Sequence, residues 1–402
     1  MTSTTEAAPQ APPAAHQAAV FTHSPSLDGI RAIAVLLVVV EHGSVRFLPR
    51  DSWLVFGRYG VGIFFVLSGY LITSLLLRER VNRGRISLRD FYVRRALRIW
   101  PLYYAVLLLQ VVVLLHVDSR SWGNVWVSTD SSKYSAFTHV WWSYLVFVQN
   151  YVSDVRHHVN LGLGVYWSLA IEEQYYLFWP IALIALSRAR WRGAIPAFLV
   201  GAIALSFLLR ALTILGHLGA TGGGIERMTH TNLFGLAVGS LLAWSRWDRL
   251  RRGGPVRGGG GFGATLAWFV VLALVLRVST PVIQAGWAVK LPHFDYYDPL
   301  LLSVAMAAII DYVAWGGATW SPLRWWPMVY VGRVSYGIYL LHPLVLGVAL
   351  HVLHSKGWIE MGVFMVATLA VAAASYELFE KRILRLKRRF SHVPSLGTEP
   401  PA

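Results

Sequence analysis

The chain has 402 residues, 55% hydrophobic and only 14% charged, and its mean hydropathy of +0.50 lies above the range of ordinary soluble domains. With no cysteine it can form no disulfide, thiolate metal site or cysteine nucleophile. The formal charge of +16 raises the question of nucleic-acid binding, but the Arg and Lys residues cluster between apolar blocks, which is the positive-inside pattern of a membrane protein.

The apolar blocks are roughly 20 residues long, the length a helix needs to cross ~30 Å of hydrocarbon. A β-barrel would show short alternating segments instead. The expected fold is an all-α membrane protein, a bundle of about ten transmembrane helices near 29–46, 59–77, 100–117, 164–186, 194–215, 230–245, 263–280, 298–315, 329–350 and 359–379. Residues 1–26 are rich in Ala and Pro and lack a basic stretch before an apolar core, so they read as a disordered cytoplasmic tail and not a cleaved signal. Residues 27–380 then form the membrane domain, and 381–402 a basic cytoplasmic C-terminal tail.

Residues 137–151, "FTHVWWSYLVFVQNY", are short and aromatic, as expected of an interfacial or re-entrant segment. The stretch 251–263, "RRGGPVRGGGGFG", lacks the Lys-Ser/Thr ending of a phosphate loop and reads as a flexible connection. With the N-terminus inside, 23 Lys and Arg residues fall in cytoplasmic segments and nine in the opposite loops, which supports an even number of spans with both ends cytoplasmic.

The first span, "LDGIRAIAVLLVVVEH", places Arg31 and His42 eleven residues apart, about 20° from one another around the helix and roughly 16 Å along it. A charge within the bilayer normally faces a bundle interior or hydrated cavity. The structural alternative is that Asp28 and Arg31 mark the interface and His42 caps the far end. An imidazole suits a general base at neutral pH. Glu41, next to His42 in sequence, lies about 80° to the other side, so it is a weak partner.

In the second span Gly62, Val66, Gly69 and Thr73 form a small-residue stripe suited to close packing, and Ser68 is a candidate cavity residue. Arg94, Arg95 and Arg98 immediately precede the third span, which opens with Pro101 near its first turn; they either anchor topology or clamp the phosphates of a nucleotide-bearing donor. The fourth span sets Ser168, Glu172 and Tyr176 on one face, with Glu173 pointing away. In the ninth, Ser335, Tyr339 and His342 form a polar stripe, a candidate lining. His-x-x-x-His and other metal-type clusters are missing, so no metal is expected.

Five stretches, "LDGIRAIAVLLVVVEH", "FFVLSGYLIT", "RRALRIWP", "WSLAIEEQYYLFWP" and "SYGIYLLHP", together with a weaker "YELFEKRI", resemble the acyltransferase 3 family of integral-membrane O-acyltransferases. They occur in family order across residues 27–382; the last departs from the usual Glu-Arg/Lys-Pro because Arg382 follows Lys381. The resemblance implies a ten-helix bundle in the bacterial cytoplasmic membrane. It further implies transfer of an acyl group from cytoplasmic acyl-CoA, a co-substrate and not a tightly bound cofactor, to a hydroxyl of a carbohydrate-containing acceptor. Cell-surface polysaccharides and macrolide sugars are acceptors of that kind. Carried over by motif, His42 and Arg31 are the essential pair, Arg94, Arg95 and Arg98 the loop arginines, and Glu172 the carboxylate. The expected partners are therefore acyl-CoA, the glycan acceptor and membrane lipid, with no nucleic acid. Because a polar-lined bundle equally describes a substrate pathway, a transporter or flippase is the competing class.

Overall fold

A computed structural model describes residues 24–49, 54, 56–116, 139–156, 163–215, 227–253, 266–271, 294–315, 322–353 and 355–387. Most of the expected N-terminal tail, the glycine-rich connection from 254 onward, most of the span at 263–280 and the end of the C-terminal tail lie outside them.

Besides helical stretches at 139–145 and 266–271, the described residues form α1 Pro25–Phe47, α2 Gly57–Arg83, α3 Leu88–His116, α4 Gln149–Arg156, α5 Tyr166–Arg188, α6 Ala194–Ile214, α7 Thr229–Arg251, α8 Phe294–Trp315, α9 Trp326–Arg333, α10 Ser335–Val352, α11 Trp358–Ser375 and α12 Lys381–Lys387. Among the described residues five stretches are long and apolar enough to cross a membrane: Gly57–Arg83, Leu88–Val112, Ala194–Ile214, Ser335–Val352 and Trp358–Leu386. The rest of the ten-span count is an expectation from sequence alone. Helices α1 and α5 fall outside that set, and they are the helices that carry Arg31, His42, Glu172 and Glu173.

The bundle is built around α1 and α2. Helix α1 starts with Pro25 in its first turn, where a missing N–H costs nothing, and packs on α2, α9, α10 and α11. Helix α2 packs on α1, α5, α7 and α8. Its crossing with α7 is backbone on backbone: a Cβ at Gly69 would sit 2.0 Å from the Leu236 carbonyl oxygen, and one at Gly239 2.0 Å from that of Val66. In lipid, where apolar side chains gain nothing by leaving the solvent, such close approach is what holds helices together. On the same stripe Thr73 accepts the Trp179 indole N–H at 2.8 Å, tying α2 to α5.

Three expectations need correction. Hydropathy predicts a third span at 100–117, but α3 begins at Leu88, so Arg94, Arg95 and Arg98 stand on the helix itself and Pro101 lies inside it. The cause is a cap at Ser87, whose Oγ accepts the Asp90 N–H at 3.3 Å, with Asp90 favourably placed in the first turn. The ninth span, expected as one helix over 329–350, breaks at Val334 into α9 and α10. Here α9 presses onto the start of α1, with a Cβ at Gly332 falling 1.8 Å from the Asp28 carbonyl oxygen. The last helix does not stop at 379 but continues through a π turn, Tyr376–Glu380, into α12.

The aromatic segment is also broken. Residues 139–145 are helical, Phe147 takes a positive φ of 57°, and α4 follows. The Phe147 ring then rests on Tyr103 of α3 with centroids 4.6 Å apart, and Gln149 donates to the Tyr166 carbonyl at 2.8 Å.

Candidate functional site

Two cavities are stacked along the bundle. The first, about 850 Å³ counting the space open to solvent, lies among α1, α2, α3, α5 and α10 and is lined by Arg31, Ser68, Arg95, Arg98, Ser168, Glu172, Glu173, Tyr176, Ser335, Tyr336 and Tyr339. The second, about 1220 Å³ counted in the same way, opens at the other end of α1 and is lined by Glu41, His42, Arg46, Gly57, Arg58, Trp167, Arg227 and Tyr339 among others. Tyr339 and Val61 stand in both walls.

In the first cavity Arg31 donates to Asp28 at 3.0 Å, a carboxylate only 1% exposed one helical turn earlier. The pair neutralises charge that the apolar interior would otherwise oppose. Glu172 reaches across from α5, accepting the Ser68 hydroxyl at 2.7 Å on one oxygen and the Tyr176 hydroxyl at 3.1 Å on the other. The Arg95 guanidinium lies over the rings of Phe91 and Tyr176, at 5.9 and 5.8 Å. Its Nε is buried with no hydrogen-bond partner among the described residues. Tyr339 and Ser168 share a 2.6 Å hydrogen bond, and Tyr339 also donates to the Val165 carbonyl at 3.1 Å.

Arg94 does not join Arg95 and Arg98. One residue along a helix is a rotation of about 100°, and Arg94 turns away to donate to Glu79 at 2.7 Å. Glu79 also accepts the Ser87 N–H at 3.0 Å, so this buried pair fastens the α2–α3 turn. Glu173, expected to point away, lines the cavity with Glu172. Its Oε2 accepts the Trp100 indole N–H at 3.1 Å, while Oε1 is buried without a partner among the described residues. Tyr336, also unforeseen, lines the same wall and donates to the Ile99 carbonyl at 2.8 Å.

In the second cavity His42 Nδ1 lies 2.8 Å from the Val38 carbonyl. A carbonyl can only accept, so Nδ1 carries the proton and the neutral ring keeps its lone pair on Nε2. Behind it stands His342, fully buried, with ring centroids 5.0 Å apart. The helical stripe predicts that His342 lines a path, but it lines neither cavity and instead backs His42, its Nδ1 3.2 Å from the Ile338 carbonyl and its Nε2 without a partner among the described residues. Glu41 turns to accept the Gly57 N–H, placing its charge at the N-terminus of α2, where the helix dipole favours an anion. It is thereby a cap for α2 and not the partner of His42.

The basic residues of the second cavity, Arg46, Arg58 and Arg227, escaped the sequence reading. A signal existed for one of them: Arg46 follows His42 by four residues and so lies on the same face of α1. Among the described residues no group of three or more His, Asp or Glu side chains is arranged to hold a metal ion.

The motifs fall on the walls of two cavities that share Tyr339 and Val61, and the acyltransferase domain profile matches residues 24–377. The chain belongs to the acyltransferase 3 family. A peptidoglycan O-acetyltransferase of Listeria monocytogenes, OatA, is 30% identical over 376 residues, covering 89% of this chain and 55% of its own. A Bacillus subtilis protein provisionally named a peptidoglycan O-acetyltransferase, YrhL, is 31% identical over 392 residues, 92% of this chain and 56% of its own. An O-acetyltransferase, so named provisionally, of Staphylococcus aureus strain MRSA252 is 29% identical over 389 residues, 92% of this chain and 60% of its own. The chain thus spans little more than half the length of these family members. No solved structure matches it.

Proposed function

We propose that this acyltransferase 3 protein is a membrane O-acyltransferase that takes an acyl group from acyl-CoA in the first cavity and delivers it to a hydroxyl of a glycan or glycosylated natural product in the second. The observation that carries the reading is the shared wall at Tyr339 and Val61: a cavity with Arg31, Arg95 and Arg98 meets one lined by the His42 imidazole. Arg31 and His42 are roughly 16 Å apart along α1, too far for one hydrogen-bonded dyad but suited to the two ends of an extended thioester donor. Arg95 and Arg98 attract the donor's phosphates as charge-assisted hydrogen-bond donors, and the acyl end passes Tyr339.

His42 Nε2 removes the proton of the acceptor hydroxyl as its oxygen attacks the thioester carbonyl. The tetrahedral adduct collapses with cleavage of the carbon–sulfur bond. The coenzyme A thiolate leaves and takes the proton back from the imidazolium, so a new ester and a free thiol result. In this reading the protein lies in the bacterial cytoplasmic membrane with both termini in the cytoplasm. The His42 cavity then faces the outer side.

The test is transfer of radiolabelled acyl groups from acyl-CoA to glycan by the purified protein in liposomes. Wild type consumes acyl-CoA and His42→Ala does not. Substrate movement by the wild type without acyl-CoA consumption overturns the reading in favour of a transporter.

A further inference from the structure

Attack on a thioester moves the carbonyl π electrons onto oxygen, and an oxyanion inside an apolar bundle needs a hydrogen-bond donor already aimed at it. His42 does not supply one as the adduct forms: its Nδ1 faces the Val38 carbonyl at 2.8 Å, and its Nε2 is engaged with the acceptor hydroxyl. The thioester arrives from the first cavity and the base stands in the second, so the adduct forms where the two walls coincide. Two side chains line both walls, Val61 and Tyr339. Of these only the tyrosine has a donor.

Tyr339 is 6% exposed and fixed on several sides. Its ring meets Phe64 of α2 at 6.3 Å and His342 at 5.8 Å, both edge-on, and His342 lies 5.0 Å from His42, so one imidazole links the tyrosine to the base. Its hydroxyl belongs to a triangle of oxygens at the start of α5. Tyr339 Oη is 2.6 Å from Ser168 Oγ and 3.1 Å from the Val165 carbonyl, and Ser168 Oγ is 3.2 Å from that same carbonyl. The triangle contains two hydroxyl protons and one carbonyl that either hydroxyl can serve. When the Tyr339 proton turns elsewhere, Ser168 takes over the carbonyl. A buried tyrosine with a single acceptor would strand that acceptor by the same movement.

Resting on the acyltransferase reading above, we infer that Tyr339 is the oxyanion donor of the transfer and that Ser168 positions and releases it. As the acceptor oxygen bonds the carbonyl carbon and His42 takes the hydroxyl proton, the π pair moves to the carbonyl oxygen. The Tyr339 O–H turns from Val165 to that oxygen and keeps its proton. When the carbon–sulfur bond breaks, the pair returns to re-form the carbonyl, and the thiolate takes the proton from the His42 imidazolium. Tyr339 then turns back to Val165 and ends the cycle as it began. The planar thioester gains less from this bond than the adduct does, so the contact lowers the barrier and does not tighten donor binding.

The experiment uses membrane vesicles from the source cell making wild type, His42→Ala, Tyr339→Phe or Ser168→Ala, supplied with radiolabelled acetyl-, propionyl- and butyryl-CoA. The donor giving the most His42-dependent label in the endogenous acceptor is then used throughout. At saturating donor Tyr339→Phe lowers the labelling rate about 10²-fold, the usual loss for one oxyanion donor, with the donor KM near wild type. Ser168→Ala lowers it about tenfold, because the turning Tyr339 proton then leaves the Val165 carbonyl without a hydroxyl. Tyr339→Phe keeps the ring contacts and leaves Ser168 to serve Val165, so its melting temperature in detergent stays close to wild type. Binding to the purified protein separates catalysis from packing. Tyr339→Phe weakens the trifluoromethyl ketone thioether of coenzyme A, whose hydrate mimics the adduct, about tenfold, and leaves the affinity for the planar methyl ketone counterpart near wild type. Three results overturn the inference: a wild-type labelling rate in Tyr339→Phe, equal weakening of both ketones, and ester-linked label on the protein that Tyr339→Phe abolishes, which would make the phenol an acyl carrier. Absence of any His42-dependent label removes the acyltransferase reading itself, and this inference with it.

Discussion

The imidazoles of His42 and His342 face each other across the α1–α10 contact with centroids 5.0 Å apart, each holding its Nδ1 against the carbonyl four residues earlier on its own helix. Both rings therefore keep their Nε2 lone pairs when neutral, but only His42 borders open space. Substituting His42 by Ala lowers kcat by at least about 10²-fold, the usual contribution of a general base. His342→Leu fills the same buried volume without a lone pair. It lowers kcat by about tenfold, or roughly 1.4 kcal/mol of barrier, and leaves both Michaelis constants unchanged. Steady-state kinetics of the two variants in detergent check this separation.

Glu172 satisfies two hydroxyl donors from two helices, Ser68 and Tyr176. Glu172→Leu strands both inside the cavity, at a cost of about 1–3 kcal/mol each where no water replaces the acceptor. Glu172→Gln keeps one carbonyl acceptor and removes the charge, so its melting temperature stays close to wild type while kcat/KM for acyl-CoA falls. Thermal unfolding in detergent, set beside donor kinetics, distinguishes the two. If both variants melt alike, Glu172 does not bridge α2 and α5.

How much of this was legible in the sequence depends on which geometry a residue obeys. Arg31 and His42 share a face because 100° per residue is a local rule, and Ser168, Glu172 and Tyr176 share one for the same reason. That rule misplaced Glu173: a cavity bounded on both flanks of α5 accepts neighbours 100° apart, and Trp100 from α3 holds the second carboxylate in place. The start of α3 was missed because hydropathy alone sees an arginine-rich segment there, whereas the cap at Ser87 makes it helical. Arg46, Arg58 and Arg227 are brought together only by tertiary packing, which no window along the chain contains.

The α2–α7 crossing carries a stability prediction. Gly69 and Gly239 each meet a carbonyl oxygen of the opposite helix, atoms that cannot yield as a side chain end would. Gly69→Val separates the helices and breaks the shared contact of Ser240 Oγ with the Gly69 carbonyl, 3.2 Å away. Overpacking of this kind costs about 1–3 kcal/mol or more. The melting temperature in detergent falls for Gly69→Val and for Gly239→Val. The double variant loses less than the two losses added, because both act on one interface.

The arginines of α3 give the sharpest division between binding and structure. Arg95 and Arg98 line the first cavity, whereas Arg94 is committed to Glu79, and both members of that pair are less than a tenth exposed. Arg95→Ala and Arg98→Ala raise the apparent KM for acyl-CoA about tenfold or more, as expected when a phosphate loses a charge-assisted hydrogen bond, and leave thermal stability nearly unchanged. Arg94→Ala does the opposite. It leaves the Glu79 carboxylate with the Ser87 N–H and Arg83, 3.8 Å away, and costs about 1–3 kcal/mol of stability, as for loss of a charged hydrogen bond, with a donor KM close to wild type for the fraction that folds. Glu79→Gln combined with Arg94→Met removes both charges together and restores most of that stability. Donor titration and thermal melting of the four variants decide the assignment, and a raised KM in Arg94→Ala without a fall in melting temperature would return Arg94 to the donor site.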